Sequence, residues 1–160
     1  SCKQSKVTTA NAIKFYDSIN HQINLTRPLQ QKFIDKLYEC MSQVKDDNMA
    51  LVDTDELYRD LDSAKISNLF RLKMIKDINE VDRDINYKKK IIISVELLTK
   101  YYNNEFDKCI KVLGSNQQDK FENCQTLMVP ALTELKKTLD EIEQAKTDFK
   151  SKYKFTAPTE

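Results

Sequence analysis

Gly114 is the only glycine among 160 residues, and three prolines are its only company as strong chain breakers. An antiparallel sheet turns back on itself through glycine-bearing hairpins, so a β architecture of this length lacks its punctuation. Helix is what remains. The chain is long enough to bury one sizeable core as a single domain without structural metals or a dense disulfide framework. Its 26 Lys and Arg against 25 Asp and Glu leave a formal charge of +1, which gives no overall pull toward nucleic acid or an anionic membrane surface. No apolar run approaches the ~18 residues of a membrane-spanning helix, and the longest, IIISVELL, is short and carries Glu96.

Apolar residues recur at helical spacing in four segments. The first opens after Thr8 or Thr9, either able to cap it, and runs through Ile13, Tyr16, Ile19, Ile23, Phe33, Ile34, Leu37, Met41 and Val44. Its stripe stays in phase across Pro28, which predicts one kinked helix over 9–45 rather than two helices broken near Thr26. Asp53 and Glu56 have capping-box spacing and start a second helix with the stripe Leu57, Leu61, Ala64, Leu69 (with Phe70), Leu72, Ile75 and Ile78. The polar stretch NEVDRDINYKKK then predicts a reversal, because an uninterrupted helix over 54–113 would be on the order of 90 Å long. A third helix carries Ile91, Ile92, Val95, Leu98, Tyr102, Phe106, Cys109 and Val112, with Gly114 as a left-handed stop. The fourth begins after Ser115 or Asp119, both with capping-box spacing, and continues through Phe121, Cys124, Met128, Leu132, Leu135, Leu139, Ile142, Ala145, Phe149 and Tyr153, crossing Pro130.

These segments predict an all-α, up-down-up-down four-helix bundle with proline-kinked first and fourth helices. Residues 1–8 are expected as a tether, 9–155 as one domain and 156–160 as a tail. With the first and last helices antiparallel, Pro28 and Pro130 fall within about one turn of each other. Matched kinks let two long helices curve round one core; they also offer a local widening that holds a ligand or flexes.

Four cysteines, Cys2, Cys40, Cys109 and Cys124, show none of the two-residue spacings of a zinc site or a redox pair. Cys109 and Cys124 stand at equal height if the fourth helix starts near Asp119, where a disulfide can join them, and about four residues apart if it starts at Ser115. Reduced, buried and apolar is the alternative for all three bundle cysteines. Cys2 reads either as a disulfide partner, with Cys40 the residue left over, or as the acylated first cysteine of a bacterial lipoprotein tethered by KQSKVTT.

The opening SCKQSK, the early AIKFYDSINHQI and the closing EIEQAKTDFKSKYKF give the chain a resemblance to small helical lipoproteins of the Gram-negative envelope. The three stretches make up about a fifth of the chain and contain no catalytic signature. The resemblance implies a location at the outer membrane, on its periplasmic or surface face, and a bundle architecture, with lipid at Cys2; it carries over no functional residue.

The one histidine, His21, lies one turn after Asp17 and can share a face with it. No motif supplies the further groups that nucleophilic catalysis or a metal site requires, and one glycine cannot build a phosphate loop. The sequence therefore points to no catalytic residue, metal or cofactor. Lys88, Lys89 and Lys90 read as a solvated helix end rather than a nucleic-acid contact. Tyr101 is expected at the surface, where it can contact a sugar or peptide, while Tyr102, Phe15, Tyr16 and Tyr38 fill the bundle. The leading expectation is a lipid-anchored, non-enzymatic interaction module whose membrane contact is the anchor and whose protein or small-molecule partner is unnamed. A secreted signalling or inhibitor protein, bridged Cys2 to Cys40 and Cys109 to Cys124, is the alternative.

Overall fold

The computed structural model describes residues 6–156, so Cys2 and the lipid attachment expected there lie outside the described residues. The fold is an all-α four-helix bundle, with no strand among those residues. Five helical segments make it: α1 (Thr9–Asp46), α2 (Thr54–Lys76), α3 (Tyr87–Asn103), α4 (Glu105–Leu113) and α5 (Lys120–Lys152). Pro28 and Pro130 each lie inside an unbroken helix. Thr8, not Thr9, caps α1 by accepting the Asn11 N–H at 3.1 Å, and Asp53 caps α2 through the Glu56 N–H at 3.0 Å.

Contacts between helices fix their directions. Arg71 reaches Gln22 while Lys36 pairs with Glu56 at 3.3 Å, so α2 returns along α1. The ring of Phe15 meets that of Phe149 at 5.7 Å, which sets the start of α1 beside the end of α5. We call the end that holds the start of α1, the α2–α3 loop and the end of α5 the base, and the opposite end the top.

The third rod departs from expectation. It is divided at Asn104, whose backbone (φ −120°, ψ −81°) leaves the helix and lets α4 start afresh. Neighbouring Asn103 and Asn104 favour such an interruption, because their side chains compete for backbone groups; the Asn104 amide donates to the Lys100 carbonyl at 2.9 Å. Gly114 is not left-handed (φ −86°, ψ 0°). The left-handed positions among the described residues are Asn86, Asp119 and Lys154. Asp119 precedes α5, which takes the later of its two expected starts, but it makes no side-chain cap. Glycine is needed at 114 for space, since a Cβ there would lie 2.7 Å from Thr54 Cγ2 at the start of α2.

The interior is two cores rather than one. The top core gathers Phe33, Leu37, Leu57, Leu61, Tyr102, Phe106, Cys109 and Cys124 with their neighbours. The base core gathers Phe15, Ile19, Ile75, Tyr87, Ile91, Ala145 and Phe149. Some expected core positions are exposed instead: Leu69 and Phe70 on α2, Leu139 on α5 and Tyr38 on α1. In α2 the helical repeat from Ala64 to Leu72 passes through Asn68, which is 2% exposed, and so turns its apolar neighbours outward.

Candidate functional site

Between the two cores each rod brings polar side chains to one level. Thr26 on α1 is buried and returns its hydroxyl to the Ile23 carbonyl at 2.7 Å. Asn68 on α2 donates to the Val95 carbonyl at 3.3 Å and to Thr99 Oγ1 at 3.1 Å, both on α3. Ser94 on α3 accepts from Thr138 of α5 at 3.1 Å, and Tyr87 donates to Asn20 of α1 at 2.8 Å. These bonds tie α3 to α2, to α5 and, across the bundle, to α1. Among the described residues no hydrogen bond or ion pair joins α1 to α5, and along that seam a cavity of about 280 Å³ opens.

Ile23, Ile91, Val95, Leu98, Leu135 and Ile142 give this waist cavity apolar walls, and Asn68 faces it from α2. Both amide hydrogens of Asn68 are engaged inside the bundle, which leaves only its oxygen for a ligand. Arg27, Glu143 and Lys146 stand at the rim. Lys146 pairs with Glu143 at 3.1 Å, whereas Arg27 has no ion pair among the described residues. A cavity near the lower bound of ligand pockets, apolar in its walls with one uncommitted cation at its mouth, suits a small amphipathic anion.

The base holds a second, open recess of about 1010 Å³ among Lys6, Glu80, Arg83, Asp84, Lys152 and Lys154. Its fixed point is Asp82, buried in the α2–α3 loop, which accepts from Lys152 Nζ at 2.5 Å, Tyr153 Oη at 2.7 Å and the backbone N–H groups of Asp84 and Ile85 at 3.0 Å. Burial alone would raise this carboxyl, but the Ile85 N–H, Lys152 and Tyr153 outweigh it and hold the pKa at about 2. Lys88, expected as part of a solvated run, donates from Nζ to the carbonyls of Lys76 and Ile78 and so closes the C-terminus of α2.

The residues singled out by sequence do not converge. His21 and Asp17 are both exposed, with no hydrogen bond or ion pair between them. Tyr101 is 5% exposed, contrary to expectation; its hydroxyl donates to Glu134 of α5, and burial followed by that carboxylate push it up to about 12. Cys109 and Cys124 are free thiols side by side, Cys109 Sγ lying 3.8 Å from the Cys124 carbonyl and Cys124 Sγ 3.6 Å from that of Cys109. The neighbouring Cys124 sulfur, then burial, keep the Cys109 thiol well above its ordinary range. A bridge within one chain from Cys2 to Cys40 fails on reach: α1 places Cys40 about 46 Å from Thr9, and seven residues extend at most ~25 Å. Sequence reasoning set a ligand-holding widening at the paired prolines: the cavity's lining on α1, Thr26, Arg27 and Gln30, flanks Pro28, but on α5 it runs from Leu135 to Lys146 and does not reach Pro130. The signal that went unread was the set of gaps in the stripes at Thr26, Asn68 and Thr138, which coincide in height once the rods are antiparallel. Comparison with protein-family models, with curated proteins and with solved structures finds no match to this chain.

Proposed function

We propose that this chain is a non-enzymatic binding module of the bacterial cell envelope, lipid-anchored through Cys2, whose waist holds a small amphipathic carboxylate. The observation that carries the ligand reading is the cavity itself: apolar walls between two separate cores and the uncommitted Arg27 at its rim. The acyl chain of such a ligand replaces missing core contacts, and its carboxylate meets the Arg27 guanidinium in a charge-assisted pair.

Calorimetry with octanoate, octanol and octylamine tests it. Octanoate is expected to bind best and octylamine worst, and Arg27→Gln to remove the preference for octanoate over octanol. Ser94→Leu fills the cavity while leaving Thr138 its bond to the Leu135 carbonyl, so this variant is expected to stay folded and lose binding. Octanoate binding that Ser94→Leu leaves intact would sink the reading. Mass spectrometry of the chain from its host's envelope decides the anchor separately: an unmodified Cys2 there excludes it.

A further inference from the structure

The formal charge of +1 conceals a polarity along the bundle axis. At the base, residues 6–17, 73–92 and 143–156 hold twelve Lys and Arg against seven Asp and Glu. At the top, residues 41–60 and 103–123 hold five against ten. Side-chain placement leaves that excess standing, because the two basal acids turned inward are matched by Lys152 on Asp82 and by Lys88 on the carbonyls of Lys76 and Ile78. Those two acids are Asp82, turned into its bonds with Lys152 and Tyr153, and Glu80, turned onto the backbone N–H groups of Val81, Asp82 and Lys88. Lys6, Lys14, Arg83, Lys89, Lys150 and Lys154 are exposed, and no ion pair holds any of them among the described residues.

We propose that the base is a docking surface for an anionic lipid bilayer, on which the bundle stands end-on with its acidic top outward. The free cations come from the start of α1, the α2–α3 loop, the start of α3 and the end of α5, so they surround one end of the bundle instead of following one of its long faces. A ring at one end matches a plane; a nucleic-acid strand asks for a continuous basic groove. Attraction to a charged surface decays within a Debye length, ~8 Å at physiological salt, so the base is drawn in while the distant top is not. Lys6, the first described residue, belongs to the ring. Docking of this kind supplies a second signal beside a lipid at Cys2, and stable attachment takes two. It does not depend on that lipid.

Sedimentation of the full chain carrying Cys2→Ser, which has no acyl acceptor there, reads the base alone. Binding is expected to phosphatidylcholine vesicles containing phosphatidylglycerol, not to phosphatidylcholine alone, and to fall as salt rises. Reversing three basal cations together, Arg83→Glu, Lys89→Glu and Lys150→Glu, is expected to weaken partitioning by at least about a hundredfold. The matched triple at the top, Lys45→Glu, Arg59→Glu and Lys108→Glu, changes net charge equally and should have little effect. Circular dichroism establishes that both triples remain helical. Three results would each overturn the proposal: equal loss from the two triples, no binding to the anionic vesicles, or release by inorganic phosphate beyond that of chloride at equal ionic strength, which would make the basal recess an ion site. None of them touches the Cys2 anchor, which the mass of the native chain decides.

Discussion

At the scale of single residues, two contacts between neighbouring elements set local spacing. Gly114 has ordinary right-handed helical angles, which alanine adopts without strain, so any cost of Gly114→Ala comes from the Thr54 methyl 2.7 Å from the new Cβ. We expect a loss of about 1–2 kcal/mol by urea denaturation. In a Thr54→Ser background the methyl is gone, and the same substitution should be neutral or mildly stabilising because it restricts the unfolded chain. A loss that persists in that background would place the cause elsewhere. Cys109 and Cys124 offer the second case. Their sulfurs already face one another across α4 and α5, so an oxidised sample should yield one disulfide between them while Cys40 stays reduced. Closing a loop of this size stabilises by about 3 kcal/mol, to be read as the difference between oxidised and reduced midpoints with the bridge assigned by peptide mapping.

At the scale of elements, the α2–α3 loop is secured more tightly than its polar sequence suggests. Lys88 closes the end of α2, Glu80 gathers three N–H groups, and Asp82 straps the loop to the end of α5. Asp82 is held at about 2 against an ordinary 3.8, so the folded state binds this proton more weakly than the unfolded chain. The associated stability, about 2 kcal/mol, is fully present above pH ~4 and is lost as the pH falls through about 2. Asp82→Asn should therefore be less stable by about that amount at pH 7 and should lose less than the parent chain between pH 5 and 2. Parallel denaturation profiles across that range would show that the strap contributes nothing. This loop also marks where the sequence is legible. Its existence followed from the polarity of NEVDRDINYKKK, since a stripe that stops must stop for a turn; its bonds to Lys152 and Tyr153 did not, because those partners lie some 70 residues away. Capping residues Thr8 and Asp53 act through their own next turn and could be read directly. Tyr101 could not, because Glu134, which accepts its hydroxyl, approaches from another rod. Leu69 drew the stripe one position off because apolar character was assumed where the helix had placed Asn68.

At the scale of the molecule, the waist raises the question of whether this chain unfolds as one unit. The rings of Phe33, Tyr102 and Phe106 contact one another in the top core and those of Phe15, Tyr87 and Phe149 in the base core, in T-shaped or tilted pairs, and among the described residues no aromatic contact bridges the two. Against this separation stand α1, α2 and α5, which run unbroken through the polar level and transmit loss of helix from one half to the other. The third rod alone is interrupted, and the break at Asn104 lies within the top core, between Tyr102 and Phe106. Two cores joined by three continuous rods should open in part before they open in full, because a cooperative unit extends as far as its shared apolar burial. Native-state hydrogen exchange on a pair of large-to-small variants resolves this. Phe149→Ala removes a fully buried ring from the base and Phe33→Ala one from the top, each expected to cost about 3–5 kcal/mol. If the halves are separate units, Phe149→Ala lowers protection chiefly in residues 12–19, 72–75, 87–95 and 142–149, and Phe33→Ala chiefly in 33–44, 57–64, 101–113 and 124–131. A uniform loss from either variant would mean that the continuous helices dominate and the waist is only a gap in packing. Octanoate bound at the waist should then protect both halves together, whereas with separate units it should reduce the difference between them, since a ligand that contacts Ile23, Val95, Leu98 and Ile142 replaces the apolar contacts that polar Thr26 and Asn68 withhold.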